Sequence, residues 1–184
     1  MKKLTKVIAA AGIAIATLFT TNAVKAQSTT PSNAWRFGVG VEAGVPVGDL
    51  RNFSHFALGG TARLQYGISN DVAFTLTSGY YNLFSRGGSS ATVGNVTYTA
   101  NPKDQGIVPV KAGIKAYAGG GFYVAGEVGA GFETQYGKDT KLILAPGIGY
   151  SWSSVDLGVR YERFSGQNNN YGMLAARLAY GFKL

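Results

Sequence analysis

Polar and apolar positions alternate with a period of two along most of this chain, in runs separated by clusters of Gly, Ser and Asn. In the last run Leu174, Ala176, Leu178, Tyr180, Phe182 and Leu184 share one side, while Met173, Ala175, Arg177, Ala179, Gly181 and Lys183 share the other. Successive side chains of a β-strand point to opposite faces, so this stretch reads as a strand with one apolar face and one small or charged face. The pattern begins with Trp35, Phe37, Val39, Val41, Ala43 and Val45, set against Arg36, Gly38, Gly40, Glu42 and Gly44. It recurs in Phe56, Leu58, Leu64, Tyr66 and Ile68 against Ala57, Thr61, Arg63 and Gln65, and in Val72, Phe74, Leu76 and Tyr80 against Ala73, Thr75, Thr77 and Tyr81. A fourth run sets Val108, Val110, Ile114 and Ala116 against Pro109, Lys111, Lys115 and Tyr117, and a fifth sets Phe122, Val124, Val128 and Phe132 against Tyr123, Ala125 and Glu127. The sixth has Leu142, Leu144, Ile148, Tyr150 and Trp152 against Ala145, Gly147, Gly149 and Ser151; the seventh has Val155, Leu157, Val159 and Tyr161 against Asp156, Gly158, Arg160 and Glu162. With the closing run, eight strands are expected.

Their connections alternate in length. Asn70-Asp71, Gly119-Gly120-Gly121 and Ser153-Ser154 read as tight turns of two or three residues after the second, fourth and sixth strands. The other connections are longer and polar, above all residues 85–105, which read as a long exposed loop rich in Gly, Ser, Thr and Asn. Long loops at one end and short turns at the other mark a transmembrane barrel, whose tilted strands need only about ten residues to cross a bilayer. On the apolar face, Trp35, Phe37, Tyr66, Phe74, Phe122, Tyr150, Trp152, Tyr180 and Phe182 gather near the short-turn end. Phe56, Tyr80, Phe84, Phe132 and Tyr161 gather near the other. Two aromatic belts around an aliphatic band match the two lipid–water interfaces. The expected fold is therefore all-β, an eight-stranded antiparallel up-and-down transmembrane β-barrel. The competing arrangement is a soluble barrel of lipocalin type with the apolar face inward, which periodicity alone does not exclude.

The opposite face supplies the candidate lumen charge network: Arg36, Glu42, Arg63, Lys111, Lys115, Glu127, Asp156, Arg160, Glu162, Arg177 and Lys183. Facing lipid, a basic residue at the bilayer midplane costs about 2–4 kcal/mol, whereas facing inward these groups can pair. An eight-stranded barrel has an interior just wide enough for side chains to fill, so a packed polar plug without a wide pore is expected. Lys111 and Lys115 test this reading: placed against Glu127 and Asp156 they are structural pairs, and otherwise they are candidates for an ion path. Pro109 and Pro146 lack a ladder donor inside strands that have no free edge, so a bulge or local break is expected at each. Arg163 falls on the lipid side by strict alternation, beyond Tyr161.

Composition narrows the picture further. The chain has 184 residues, no Cys, 27 Gly, 12% aromatic and only 14% charged residues. The lack of Cys excludes disulfides, thiolate metal sites and a cysteine nucleophile. The formal charge of +8 includes Lys2, Lys3, Lys6 and Lys25; without those four, 13 basic residues stand against 9 acidic, or +4. No polybasic stripe remains, so no nucleic-acid partner is expected. Residues 1–26 have a basic start, an apolar stretch and small residues at Val24-Lys25-Ala26. That is the anatomy of a secretory signal peptide, too short to span a membrane. Residues 27–33 then form a flexible lead, and residues 34–184 the barrel.

Gly44-Val45-Pro46-Val47-Gly48-Asp49-Leu50 after a Gly-rich first strand, together with the closing Tyr180-Gly181-Phe182-Lys183-Leu184, resembles the outer-membrane β-barrel domain family common in Bacteroidetes-type bacteria. These are porin-family proteins similar in architecture to the small OmpA and OmpX barrels of Gram-negative cells. The resemblance implies a multi-pass protein of the cell outer membrane with both termini periplasmic. Its implied partners are outer-membrane lipid and lipopolysaccharide, the barrel-assembly machinery during insertion, and an unidentified ligand of the extracellular loops.

Catalysis has one candidate start, Ser54 beside His55, the single His of the chain. A lipid-deacylating site needs Ser, His and an acid converging, yet adjacent strand residues point to opposite faces and no acid presents itself. One His with scattered carboxylates makes no metal cluster either. The expectation is a non-enzymatic barrel without cofactor or metal, structural or interacting through its loops. A narrow porin for small solutes is the alternative, and an outer-leaflet lipid-modifying enzyme a more remote one.

Overall fold

A computed structural model describes residues 31–48, 51, 54–85, 89–93, 96–100, 104–135, 139–166 and 170–184. The expected signal peptide and residues 27–30 lie outside the described residues. The strands are β1 (Trp35–Val47), β2 (Ser54–Gly67), β3 (Val72–Ser85), β4 (Ser89–Val93), β5 (Val96–Ala100), β6 (Gln105–Gly119), β7 (Phe122–Glu133), β8 (Thr140–Trp152), β9 (Val155–Ser165) and β10 (Tyr171–Lys183). Eight of them close into an antiparallel barrel in the order β1-β10-β9-β8-β7-β6-β3-β2, and β4 and β5 form a separate two-stranded sheet. Closure joins β1 to β10 in continuous register from Arg36↔Lys183 to Val47↔Gly172.

The faces separate cleanly. Val41, Ile114 and Leu178 are 60%, 53% and 51% exposed on the outside, whereas Lys111 and Glu162 are 0% exposed within. This inverts the soluble-barrel arrangement, which is thereby excluded. Both aromatic belts point outward, and the one charge on the outer face among the described residues of the eight barrel strands is Arg163, at the end of β9. Its Nε reaches Ser165 Oγ at 3.4 Å, and the strand continues past it.

Short connections lie at one end, called here the turn end, and long ones at the loop end. Gly119, Gly120 and Gly121 make the β6–β7 turn with φ of 110°, 57° and 93°, a left-handed run that only Gly adopts freely. The first turn is longer than its sequence suggests. Ile68 leaves β2, and residues 68–71 fold around Ser69, whose Oγ accepts the N–H groups of Asp71 and Val72 at 3.3 and 3.1 Å.

The long exposed loop expected over residues 85–105 requires correction. It carries the β4–β5 hairpin, paired from Ser89↔Ala100 to Val93↔Val96. Thr and Val at Thr92, Val93, Val96, Thr97 and Thr99 favour extended backbone, a signal masked by the surrounding Gly and Ser. At the base of this excursion Asp104 accepts the Ser85 N–H at 3.0 Å and the Asn82 side-chain amide at 3.1 Å. Those bonds, the backbone one first, hold its carboxyl below the ordinary carboxylate value. The clip is therefore complete above the ordinary Asp pKa and is lost as pH falls through the lowered one. An amide-nitrogen NMR titration should show Ser85 moving with a midpoint below that of a free Asp.

Both proline breaks occur, without bulges. The β3–β6 ladder lapses between Ser78↔Val110 and Tyr81↔Ile107, opposite Pro109, and resumes in the same register. The β8–β9 ladder lapses likewise between Leu144↔Arg163 and Gly147↔Arg160, around Pro146. On its other side each proline stays in a continuous ladder, Pro109↔Gly131 and Pro146↔Gly126. A missing donor interrupts one neighbour only.

Candidate functional site

The lumen is packed in tiers. At mid-height, β1, β2, β6, β7, β9 and β10 aim nine ionised side chains inward, and these join in one continuous chain. Arg63 pairs with Glu127 at 3.0 Å, Glu127 lies 3.8 Å from Lys111, and Lys111 pairs with Glu162. Glu162 takes Arg160 Nε at 2.6 Å, and Arg160 pairs on with Glu42. Glu42 lies 3.3 Å from Arg177, Arg177 lies 3.7 Å from Asp156, and Asp156 pairs with Lys115. Both test lysines thus meet carboxylates, the arrangement of structural pairs.

Neutral side chains complete the chain. Tyr81 Oη donates to Glu42 Oε2 and accepts from Lys111 Nζ and Arg160 Nη2, each at 2.9 Å, using all its capacity. Thr77 accepts Arg63 Nε at 2.9 Å and donates to Glu127 at 2.7 Å; Thr61 donates to Glu42 at 2.7 Å and accepts Arg177 Nε at 3.1 Å. Ser151 accepts Lys115 Nζ at 3.2 Å and donates to Asp156, whose other oxygen accepts Tyr123 Oη at 3.0 Å. Lys115 Nζ also sits 3.7 Å from the Tyr123 ring centre. These neutral members bring in β3 and β8, so all eight barrel strands contribute. Inward glycines give the large groups room: Tyr81 lies against Gly59, Tyr123 against Gly149, and the Arg36 guanidinium against Gly181.

Buried ion pairs are weak evidence for stability, because desolvation offsets attraction. Their clearer effect here is on register. A one-residue slip turns a strand's whole inward set outward. For β6 that carries Lys111 and Lys115 into hydrocarbon, at about 2–4 kcal/mol for each near the midplane.

The other tiers differ from the expected polar plug. Toward the loop end the lumen is filled by apolar groups: Leu83, Ile107, Ile143, Phe164, Met173 and Ala57 are all buried in one cluster. Phe164 stacks on Tyr171 at 4.9 Å, and Tyr171 Oη donates to Glu133 at 2.9 Å. Lys141, 1% exposed, pairs with Asp139 at 3.1 Å beside this cluster. At the turn end Tyr117 and Tyr123 meet edge to face, and Gln65 Nε2 donates to Tyr117 Oη at 3.1 Å.

Of the eleven candidate charges, Arg36 is buried but lies toward the turn end, outside the nine-residue ion-pair chain. Lys183 needs correction: it has the inward parity but is exposed at the rim, without an ion pair among the described residues. The strand ends there, and a long cation at a rim reaches water. Tyr81, Thr61, Thr77, Ser151, Tyr123 and Lys141 were not among the candidates. Their inward parity was the available signal. Tyr81→Phe is expected to destabilise the barrel by about 1–3 kcal/mol, since buried charges lose their bridging hydroxyl; urea unfolding in vesicles measures it.

Ser54 and His55 do not pair. Ser54 Oγ donates to the Phe84 carbonyl at 2.8 Å, and His55 is exposed beside it. Among the described residues no group of three or more His, Asp or Glu side chains converges as a metal site.

An apolar exterior, two aromatic belts and a charged interior on eight closed strands define the architecture of the small outer-membrane β-barrels. Solved structures share this fold. Ail, the attachment invasion locus protein of Yersinia pestis, superposes with a TM-score of 0.57 at 15% identity, over 82% of this chain and 99% of Ail. The N-terminal β-barrel domain of Pseudomonas aeruginosa OprF gives 0.53 at 12% identity, over 82% and 98%; OprG of the same species gives 0.51 at 11%, over 86% and 99%. At these identities the likeness is one of fold. No protein-family model matches the chain, and no curated protein sequence matches it.

Proposed function

We propose that this chain is an integral outer-membrane protein, non-enzymatic and non-conducting, that is structural or acts through its extracellular loops. The observation that carries the reading is the sealed lumen: a nine-residue ion-pair chain at mid-height beneath an apolar plug at the loop end. Side chains that satisfy one another across the bore leave no continuous polar path. The apolar band and its belts support residence in a bilayer. On this reading both termini are periplasmic, and the loop end, with the β4–β5 hairpin, faces outward. The barrel then contacts outer-membrane lipid and lipopolysaccharide directly, relies on the assembly machinery for insertion, and offers its loops to an extracellular partner.

Planar-bilayer recording of the purified, refolded barrel tests the closed lumen. The expected trace stays at baseline, with no steps above noise. Regular steps well above noise would establish the narrow porin instead. The unheated barrel in detergent should also migrate differently from the boiled one on a gel, which verifies that the recorded sample is folded.

A further inference from the structure

The ion-pair chain in the lumen does not balance. Its cations are Arg63, Lys111, Lys115, Arg160 and Arg177, and its carboxylates are Glu42, Glu127, Asp156 and Glu162. Among the described residues, five against four leaves one positive charge in excess within this chain. An unpaired charge withdrawn from water is strongly disfavoured, so an excess of this kind calls for a counterion.

The excess can be located. Arg177 has a side chain only 3% exposed; its Nε is bound to Thr61 and Glu42, and its Nη1 lies 3.7 Å from Asp156. Its Nη2 is buried and has no hydrogen-bond partner. Arg177 borders two cavities of about 20 Å³ each, and Arg63 borders both with it. The one nearer the turn end is also walled by Arg36, Gln65 and Asp156, with Gly38 and Gly181 leaving the space. Asp156 is already engaged by Lys115, Ser151 and Tyr123. Glu162 Oε2, the other buried side-chain polar atom without a hydrogen-bond partner among the described residues, belongs to a residue that borders neither cavity.

We propose that the cavity walled by Arg36, Arg63 and Arg177 is an anion site that takes one monatomic halide, chloride under ordinary conditions. It has room for at least one small species, since a water needs about 10–15 Å³. A water in the same place would leave the excess charge standing, whereas a chloride ion offsets it. The guanidinium groups of Arg63 and Arg177 hold it, and Arg36, 7% exposed, completes the wall. The ion acts as a tenth member of the lumen chain.

The test uses the folded barrel in detergent, titrated with sodium chloride against sodium gluconate at matched ionic strength. The expected result is a saturable rise in the thermal transition with chloride alone, together with broadening of the ³⁵Cl resonance by the wild-type barrel. Crystals grown in bromide should show one anomalous peak beside Arg177. Arg177→Gln removes the excess charge and should abolish the chloride response. Arg36→Gln alters no member of the nine-residue chain itself and should weaken the response, keeping the proposal testable should the first variant not fold. Superimposable transitions in chloride and gluconate, or a water with no bromide signal in the cavity, would overturn it.

Discussion

Glu162→Gln is expected to cost the folded barrel about 3–5 kcal/mol, the usual penalty for removing one partner of a buried ion pair. Glu162 is 0% exposed and holds Lys111, also 0% exposed, on one side and Arg160 on the other. Glutamine nearly keeps the shape but removes the charge, leaving six of the nine members unchanged and two cations short of a partner. Lys111 retains Glu127 at 3.8 Å and Arg160 retains Glu42, so the lower part of that range is the better expectation. Equilibrium urea unfolding in lipid vesicles gives the value. Pairing the change with Lys111→Met should recover most of the loss, because removing both charges removes the desolvation burden with the attraction. A loss below about 0.5 kcal/mol in the single variant, the level of an ordinary surface change, would mean that water screens the lumen and the chain is not a sealed network.

Leu178→Arg addresses the other face. Leu178 lies midway along β10, paired with Val41 and Leu157, and is 51% exposed on the outside. In a bilayer the substitution should cost about 2–4 kcal/mol, the range for Arg or Lys at the midplane of a barrel's lipid face. The same change on a surface bathed in water should stay within about 0.5 kcal/mol. Unfolding in vesicles compared with unfolding in a mild detergent measures the difference, and equal small losses in both would argue against a lipid-facing exterior.

The barrel's strand number, its strand order and the assignment of the two faces were legible because each face meets a medium that selects residue type strongly. Hydrocarbon outside admits Val, Leu and aromatic residues, and a narrow lumen inside requires polar groups to be paired. Alternation records both demands at every second residue, as in Val39, Val41 and Val45 beside Glu42. The pairing scheme was not legible. Arg160 on β9 reaches past β10 to Glu42 on β1, 118 residues away, and no periodicity encodes which side chains meet inside a lumen. The apolar plug escaped for a different reason. Leu83, Ile107, Ile143 and Phe164 carry the inward parity, but as apolar residues they resemble the lipid-facing set, and only their step in the alternation distinguishes them. Tyr81 was visible as inward, yet its hydroxyl becomes a hub only because Gly59 leaves room for its ring. The β4–β5 hairpin was concealed by its low-complexity neighbourhood.

The seam between β1 and β10 has a consequence for how the molecule comes into being. The other barrel seams join barrel strands that follow one another along the chain, whereas this one runs in unbroken register from Arg36↔Lys183 to Val47↔Gly172, between the first barrel strand and the last. Until β10 has been made, β1 and β9 are both raw edges, open to any passing strand. Glu42 lacks Arg177 for the same interval. A chain released before that point therefore carries two unmated edges, and its Glu42 is left with Arg160 as its ion-pair partner among the described residues.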